Sequence, residues 1–296
     1  MKILISGATG LVGKALMPKL VAGGHEVRAL SREKREDSIQ WKVQTGDLDS
    51  VCLREFGAPE ALIHLAGENI AAGRWTEEKK RRIRESRVEA TQMLVRNILK
   101  NVPSLKVFIG ASAIGFYGSR GDEILTESSP RGEGFLADVC EGWEGAAEPL
   151  AVAGVRVVHQ RFGMILSRDG GALAKMLPVF RMGLGGRVGS GEQWVSWVSI
   201  RDAVRMVEFA LTEETVSGAY NVVAPEPVRN KDFAADLGRE LRRPAVLPLP
   251  RAMVRLVFGE MGEALLLSSA RVVPERFERA GFRFEYGDLK EALKKS

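Results

Sequence analysis

Short apolar runs recur along the chain at 2–6, 25–30, 40–45, 61–66, 105–112, 155–161 and 219–223. Helical spacing of apolar residues fills most of the gaps between them. This alternation predicts an α/β fold in which a doubly wound parallel sheet carries helices on both faces. Right-handed crossovers put every strand C-terminus on one edge, and ligands of such sheets bind along that edge. Gly46-Asp47 closes the third run, Ala66-Gly67 the fourth and Ala111-Ser112 the fifth, so the polar candidates gather on one rim.

From about 164 the texture changes. Gly170-Gly171 is followed by Gly183, Gly185, Gly186, Gly189 and Gly191 in a stretch that also carries Trp194 and Trp197. Loops of this kind wrap ligands or move. Ser199-Ile-Arg-Asp202 reads as a capping box opening a helix to about Leu211, with Asp202 structural. The expected organisation is a Rossmann-like domain over 1–163, to which 196–223 returns. A mixed part follows over 164–243, and a small segment over 244–296 completes a lesser α+β substrate lobe.

At 296 residues, with 45% hydrophobic and 27% charged residues, the chain has the composition of an ordinary globule. No run approaches the roughly 18 apolar residues of a membrane helix. The first strand begins at residue 2, which leaves no room for a secretory leader, and a cytoplasmic protein is expected. Two cysteines, Cys52 and Cys140, without a C-x-x-C pair and with three histidines, fit a reducing compartment and no metal site. The net charge of +5 lies largely in 79–87 and 239–243, on faces expected to be solvated, so no nucleic-acid partner is expected.

The chemistry starts with the first run. Lys2-Ile-Leu-Ile-Ser-Gly7-Ala-Thr-Gly10-Leu-Val-Gly13 is a strand entering glycines three apart and then a helix, and Gly23 to Leu30 supplies a second strand at βαβ distance. Gly7 permits the tight turn, Gly10 admits phosphates close to the backbone, and Gly13 lets the helix settle on the sheet. The pyrophosphate seat of a dinucleotide is thus expected at Gly7, Thr9, Gly10, Leu11, Val12 and Gly13, on helix N-terminal amides. After the second strand, Ser31-Arg32 stands where an NAD site usually offers an acid to the ribose. A hydroxyl and a guanidinium suit a 2′-phosphate, so NADP(H) is expected over NAD(H). In a helix expected from about Thr76 to Leu99, Arg87 shares the apolar stripe of Ile83, Ala90, Leu94 and Ile98. Such an arginine needs a partner, which is either the cofactor or a core carboxylate.

Taken together, the glycine motif at 7–13, Gly46-Asp47-Leu48, His64-Leu-Ala-Gly67, Ala111-Ser-Ala-Ile-Gly-Phe-Tyr-Gly118, Arg161-Phe-Gly163 and Trp197-Val-Ser-Ile-Arg-Asp-Ala203 resemble the extended, epimerase/dehydratase-like short-chain dehydrogenase/reductases. Leu65 to Ile70, Phe135 to Glu144 and Gly183 to Gly191 are similar to the subfamily called YfcH-like sugar-nucleotide epimerases. Residues 244–293 are similar to that subfamily's small C-terminal domain. The resemblance implies that Asp47 and Leu48 meet the adenine, Leu65, Ala66 and Gly67 the ribose and phosphates, and Ser112 the substrate. A substrate pocket is expected between the sheet edge and the 164–202 loop, with Ser112, Tyr117, Arg161 and Trp197 as candidate lining.

One departure stands out. The family usually carries a tyrosine and, four residues on, a lysine that lowers its pKa for proton transfer. Of three tyrosines here, Tyr117 and Tyr220 lack that lysine, and Tyr286, with Lys290, lies at the far C-terminus. Anchoring on Trp143-Glu144 puts Leu136 and Cys140 at the two positions. Tyr117, with Ser112, is the nearest substitute, and Cys140 reads as a small buried hydrophobe. The sequence therefore leaves two readings. One is an NADP(H)-dependent oxidoreductase or epimerase acting by hydride transfer on a small polar substrate, such as a nucleotide-sugar. The other is an NADP(H)-binding regulatory protein that kept the fold and lost the chemistry.

Overall fold

The computed structural model describes residues 1–295. Its centre is a sheet of eight strands: Lys2–Ser6 (β1), Glu26–Ser31 (β2), Ser38–Lys42 (β3), Asp47–Leu48 (β4), Ala61–His64 (β5), Val107–Ala113 (β6), Arg156–Phe162 (β7) and Gly218–Val222 (β8). They lie in the order β8-β7-β6-β5-β1-β2-β3-β4. Every neighbouring pair is parallel except β3 and β4. The order reverses at β1, with β2 on one side and β5 on the other, which opens a crevice at the carboxyl ends of these strands.

Pleating decides which core each side chain joins. In β1, Ile3 and Ile5 pack on one face with Leu16 and Leu20 of helix Leu11–Ala22 and with Met206 and Val207 of helix Ile200–Thr212. Leu4 points the other way, to Leu94 and Ile98 of helix Val88–Asn101. All three strand residues are fully buried, as two-sided burial in a parallel sheet requires.

Two elements differ from the sequence reading. The third apolar run stops at Lys42, because the Gly46 amide bonds back to the Lys42 carbonyl at 2.8 Å and Gly46 takes φ +76°; Asp47–Leu48 then returns antiparallel. The long helix expected over 76–99 is two helices, Glu77–Glu85 and Val88–Asn101, parted at Ser86-Arg87. There Ser86 Oγ accepts the Glu68 amide at 3.0 Å, and this bond anchors the chain leaving β5 to the break.

The second lobe joins helices Gly171–Arg181, Asn230–Glu240 and Leu289–Lys295 around Leu177, Phe180, Phe233, Leu237 and Leu293. Short pairings frame it, Met164–Leu166 with Trp197–Ser199 and Ile124–Leu125 with Arg271–Val272. Asp202 is structural: Ser199 Oγ accepts its amide at 3.0 Å, and its buried carboxylate takes the amides of Glu285 and Tyr286 at 3.0 and 2.8 Å and Arg205 at 2.7 Å. Among the described residues no helix is long and apolar enough to cross a membrane, and no cluster of His, Cys, Asp or Glu is placed to hold a metal.

Candidate functional site

At the carboxyl end of β1 the chain turns at Gly7, which sits at φ +74°. A Cβ there would lie 2.7 Å from the carbonyl carbon of Leu65 and 2.8 Å from the nitrogen of Ala66. The two loops at the crevice are thus in backbone contact, and only glycine permits it. A Cβ on Gly13 would come within 2.3 Å of the Gly7 carbonyl oxygen. Gly10 caps helix Leu11–Ala22 and donates its own amide to Gly7 O at 2.9 Å. Lys14 N reaches Gly10 O, but the amides of Leu11, Val12 and Gly13 meet no acceptor among the described residues, and the first turn of the helix holds no acid. Unpaired amides at a helix start, with no Cβ in the way, fit a pyrophosphate. Thr9 belongs to this exposed turn.

The rest of the nominated cofactor set falls along the same edge. Ser31 ends β2 and its Oγ accepts the Glu33 amide at 3.2 Å. The Arg32 side chain is exposed and takes no carboxylate partner among the described residues. Asp47 is exposed, and Leu48 is buried in the core beside Trp41, so the Leu48 side chain is not free to meet a ligand. Leu65 and Ala66 are half-buried against Gly7.

Arg87 stands at the break between the two helices with its guanidinium against Gly67, where a Cβ would lie 3.1 Å from Cζ. Its partner is not a carboxylate. Arg87 donates to the carbonyls of Glu68 at 3.0 Å and Ile83 at 3.2 Å, and it covers the Trp143 ring at 5.0 Å. The adjacent Glu68 is taken by Lys79 at 2.5 Å. A positive charge without a neutralising contact therefore borders the crevice.

A feature the sequence did not single out locks β1 to β5. Ser6 Oγ and His64 Nδ1 are 2.6 Å apart, and His64 Nε2 and Thr91 Oγ1 are 2.9 Å apart. Complete burial drives the His64 pKa down to about 4, so the ring is neutral and joins two hydroxyls. Its only sequence trace is a histidine ending an apolar run.

The four residues nominated for catalysis and substrate come together only in part, and not as an open pocket. Ser112 is buried and donates to Glu144 Oε1 at 2.6 Å. Arg161, also buried, spends its fork on Glu144, Nε to Oε1 and Nη2 to Oε2, both at 2.8 Å. Its Nη1 donates to Tyr117 OH at 2.9 Å, and Phe116 lies under the guanidinium at 3.5 Å. Tyr117 is fully buried and donates to Asn221 Oδ1 at 2.7 Å. Asn221 in turn donates to Val273 O at 3.0 Å. Burial pushes the Tyr117 phenol up, against the pull of Arg161. Tyr117 and Arg161 are here members of a buried network linking β6, β7 and β8 to the C-terminal segment. Trp197 is wholly buried in the second-lobe core and donates Nε1 to Glu226 O at 3.0 Å. Of the two hubs, Glu144 stands in the sequence only as an alignment anchor with no bonding role, and Asn221 carries no motif.

Helix Phe135–Gly145 carries the two positions where the family pair falls. Leu136 packs on Gly115, where a Cβ would lie 3.1 Å from Leu136 Cβ. Cys140 is buried, which raises its thiol pKa to about 11 and makes it inert at neutral pH.

Sheet order, glycine crevice and basic rim define a dinucleotide-binding short-chain dehydrogenase/reductase fold. Residues 3–135 match the NAD dependent epimerase/dehydratase family, and 249–296 match a domain of unknown function, DUF1731. The epimerase family protein MT2273 of Mycobacterium tuberculosis is 39% identical over 293 residues, 98% of this chain and 96% of that one. The human epimerase family protein SDR39U1 is 36% identical over 297 residues, 99% of both. A crystal structure of human SDR39U1 isoform 2 with NADPH superposes at TM-score 0.89 with 35% identity, covering 100% of this chain and 98% of that one. A nucleoside-diphosphate sugar epimerase from Corynebacterium glutamicum is similar at TM-score 0.79 and 36% identity, over 99% of this chain and 57% of that one. The chain belongs to the NAD-dependent epimerase/dehydratase family, in its SDR39U1-like branch with the DUF1731 C-terminal domain.

Proposed function

We propose that the protein binds NADP(H) along the rim and transfers hydride between the nicotinamide and a small carbonyl or alcohol substrate. The observation that carries this reading is the crevice itself, where three unpaired helix amides, Leu11 to Gly13, face a turn that no Cβ could enter. These amides would hold the pyrophosphate. Arg32, exposed past the end of β2 and in no ion pair among the described residues, would take the 2′-phosphate. Arg87, beside Gly67, would add positive charge to the same edge. The NADPH bound by the human relative supports the phosphorylated cofactor.

When bound, the nicotinamide supplies the hydride donor or acceptor. Ser112 has committed its proton to Glu144, which leaves its hydroxyl only an acceptor's role toward any O–H that reaches it. Tyr117 is walled in and holds Arg161 and Asn221 in place instead. The proton exchanged at the substrate oxygen then comes from water. The second reading, an NADP(H)-binding regulatory protein, is favoured by one specific fact: neither Tyr117 nor Leu136 offers a free acid at the rim.

Titration of the purified protein with NADPH and NADH tests the cofactor assignment, with NADPH expected to bind at least tenfold tighter. Equal affinity for the two sinks it. Oxidation of bound NADPH by an added carbonyl, followed in the nicotinamide absorbance, separates the enzyme from the regulator.

A further inference from the structure

We infer that the substrate of this site is apolar, a hydrophobic ketone or aldehyde or the matching alcohol, and not a nucleoside diphosphate sugar. The inference rests on the hydride-transfer reading above. Reduction would move hydride from NADPH to the carbonyl carbon and a proton from water to its oxygen, leaving the alcohol, NADP+ and a hydroxide ion released to solvent.

Past the strand ends the partly exposed residues are the apolar ones. Beyond Ser112 the chain runs Ala113-Ile114-Gly115-Phe116, and every one of these is half-buried. Beyond Arg161 it runs Phe162-Gly163-Met164-Ile165, again all half-buried. Leu136, also half-buried, packs on Gly115 at the position where relatives place their proton donor. The polar residues interleaved with these, Ser112, Tyr117 and Arg161, are the buried ones, and all three are bonded to protein partners. Polarity is inverted relative to a sugar site, which must present donors and acceptors to several hydroxyls at once.

The C-terminal domain packs here as well: Met261, Phe258 and Leu265 share a hydrophobic cluster with Ile70, Phe135 and Leu136 around Trp75, Ile83 and Val139, so apolar side chains tie the loop after β5, the helix after β6 and the last domain together. Residues 263–267, Glu-Ala-Leu-Leu-Leu, form a π-helical turn that is half-buried throughout. Turns of this kind are rare and collect at functional sites.

The test uses calorimetry on the intact protein. NADPH is titrated first, then 2-decanol and UDP-glucose in separate runs on NADP+-saturated protein, and the 2-decanol run is repeated on Leu136→Gln and Leu265→Gln. We expect 2-decanol to bind, UDP-glucose to give no heat, and either variant to bind 2-decanol at least tenfold more weakly with NADPH affinity unchanged. Binding of UDP-glucose, absence of 2-decanol binding, or undiminished 2-decanol affinity in both folded variants overturns the inference. Absence of NADPH binding in the first run overturns the hydride-transfer reading itself, and the inference with it.

Discussion

Ser112 donates to Glu144 across 2.6 Å, and the same carboxylate is clasped at both oxygens by Arg161. With Arg161 only 5% exposed, the pair is a buried ion pair whose two members satisfy each other. Removing one member leaves an uncompensated charge, while removing both does not. Glu144→Ala is therefore expected to cost about 3–5 kcal/mol. Glu144→Leu with Arg161→Leu is expected to lose less than the Glu144→Ala change alone, and urea unfolding of the three proteins checks the order.

Tyr117→Phe separates a structural from a catalytic tyrosine. The phenol gives one bond to Asn221 and takes one from Arg161, so its loss is expected to destabilise by about 1–3 kcal/mol. Turnover of any carbonyl the protein reduces is expected to stay within a few-fold. A drop of a thousandfold at intact stability would return Tyr117 to the chemistry.

Arg32→Ala is expected to weaken NADPH by roughly 10- to 100-fold, the worth of a hydrogen-bonded charge of about 1.5–3 kcal/mol, and to leave NADH unchanged. Parallel fluorescence titrations measure both. A uniform loss for the two cofactors would move Arg32 to the pyrophosphate.

Gly13→Ala puts a methyl 2.3 Å from the Gly7 carbonyl oxygen, inside any real contact. The helix must retreat from the turn, at a cost of about 1–3 kcal/mol for overpacking, and NADPH affinity is expected to fall with it. Thermal unfolding with and without NADPH reads both effects.

His64 makes stability depend on pH. Its folded pKa of about 4 lies below the ordinary 6.5, so as pH falls through that window the unfolded chain gains a proton that the folded one refuses. Stability is therefore expected to rise with pH between about 4 and 6.5, by up to roughly 3 kcal/mol. His64→Asn is expected to flatten that slope in urea unfolding at stepped pH.

Much of the fold was legible because two-sided strands and glycines leave local marks. β1 and its turn stand at the residues their pattern implies, and the Ser199-x-x-Asp202 cap reads directly from spacing. The break at Ser86-Arg87 was not legible, because apolar spacing continues across it and the cause is a distant amide, that of Glu68. The site was half legible for a related reason. The cradle is backbone, written in glycines, whereas Tyr117, Arg161 and Trp197 look like lining until burial is known. Sequence shows a polar side chain but not whether its hydrogen bonds are already spent, and Glu144 and Asn221 do the spending from elements far along the chain.

The Asn221 amide also shapes the mechanics of the molecule. One end accepts from Tyr117 and the other donates to Val273, so a sheet strand, the turn after β6 and the C-terminal domain are riveted at a single side chain. Rocking the small lobe away from the sheet would break directional bonds in a dry interior, where they are hardest to replace. Traffic in and out of the crevice is thereby left to surface segments, and the two halves of the protein travel as one piece.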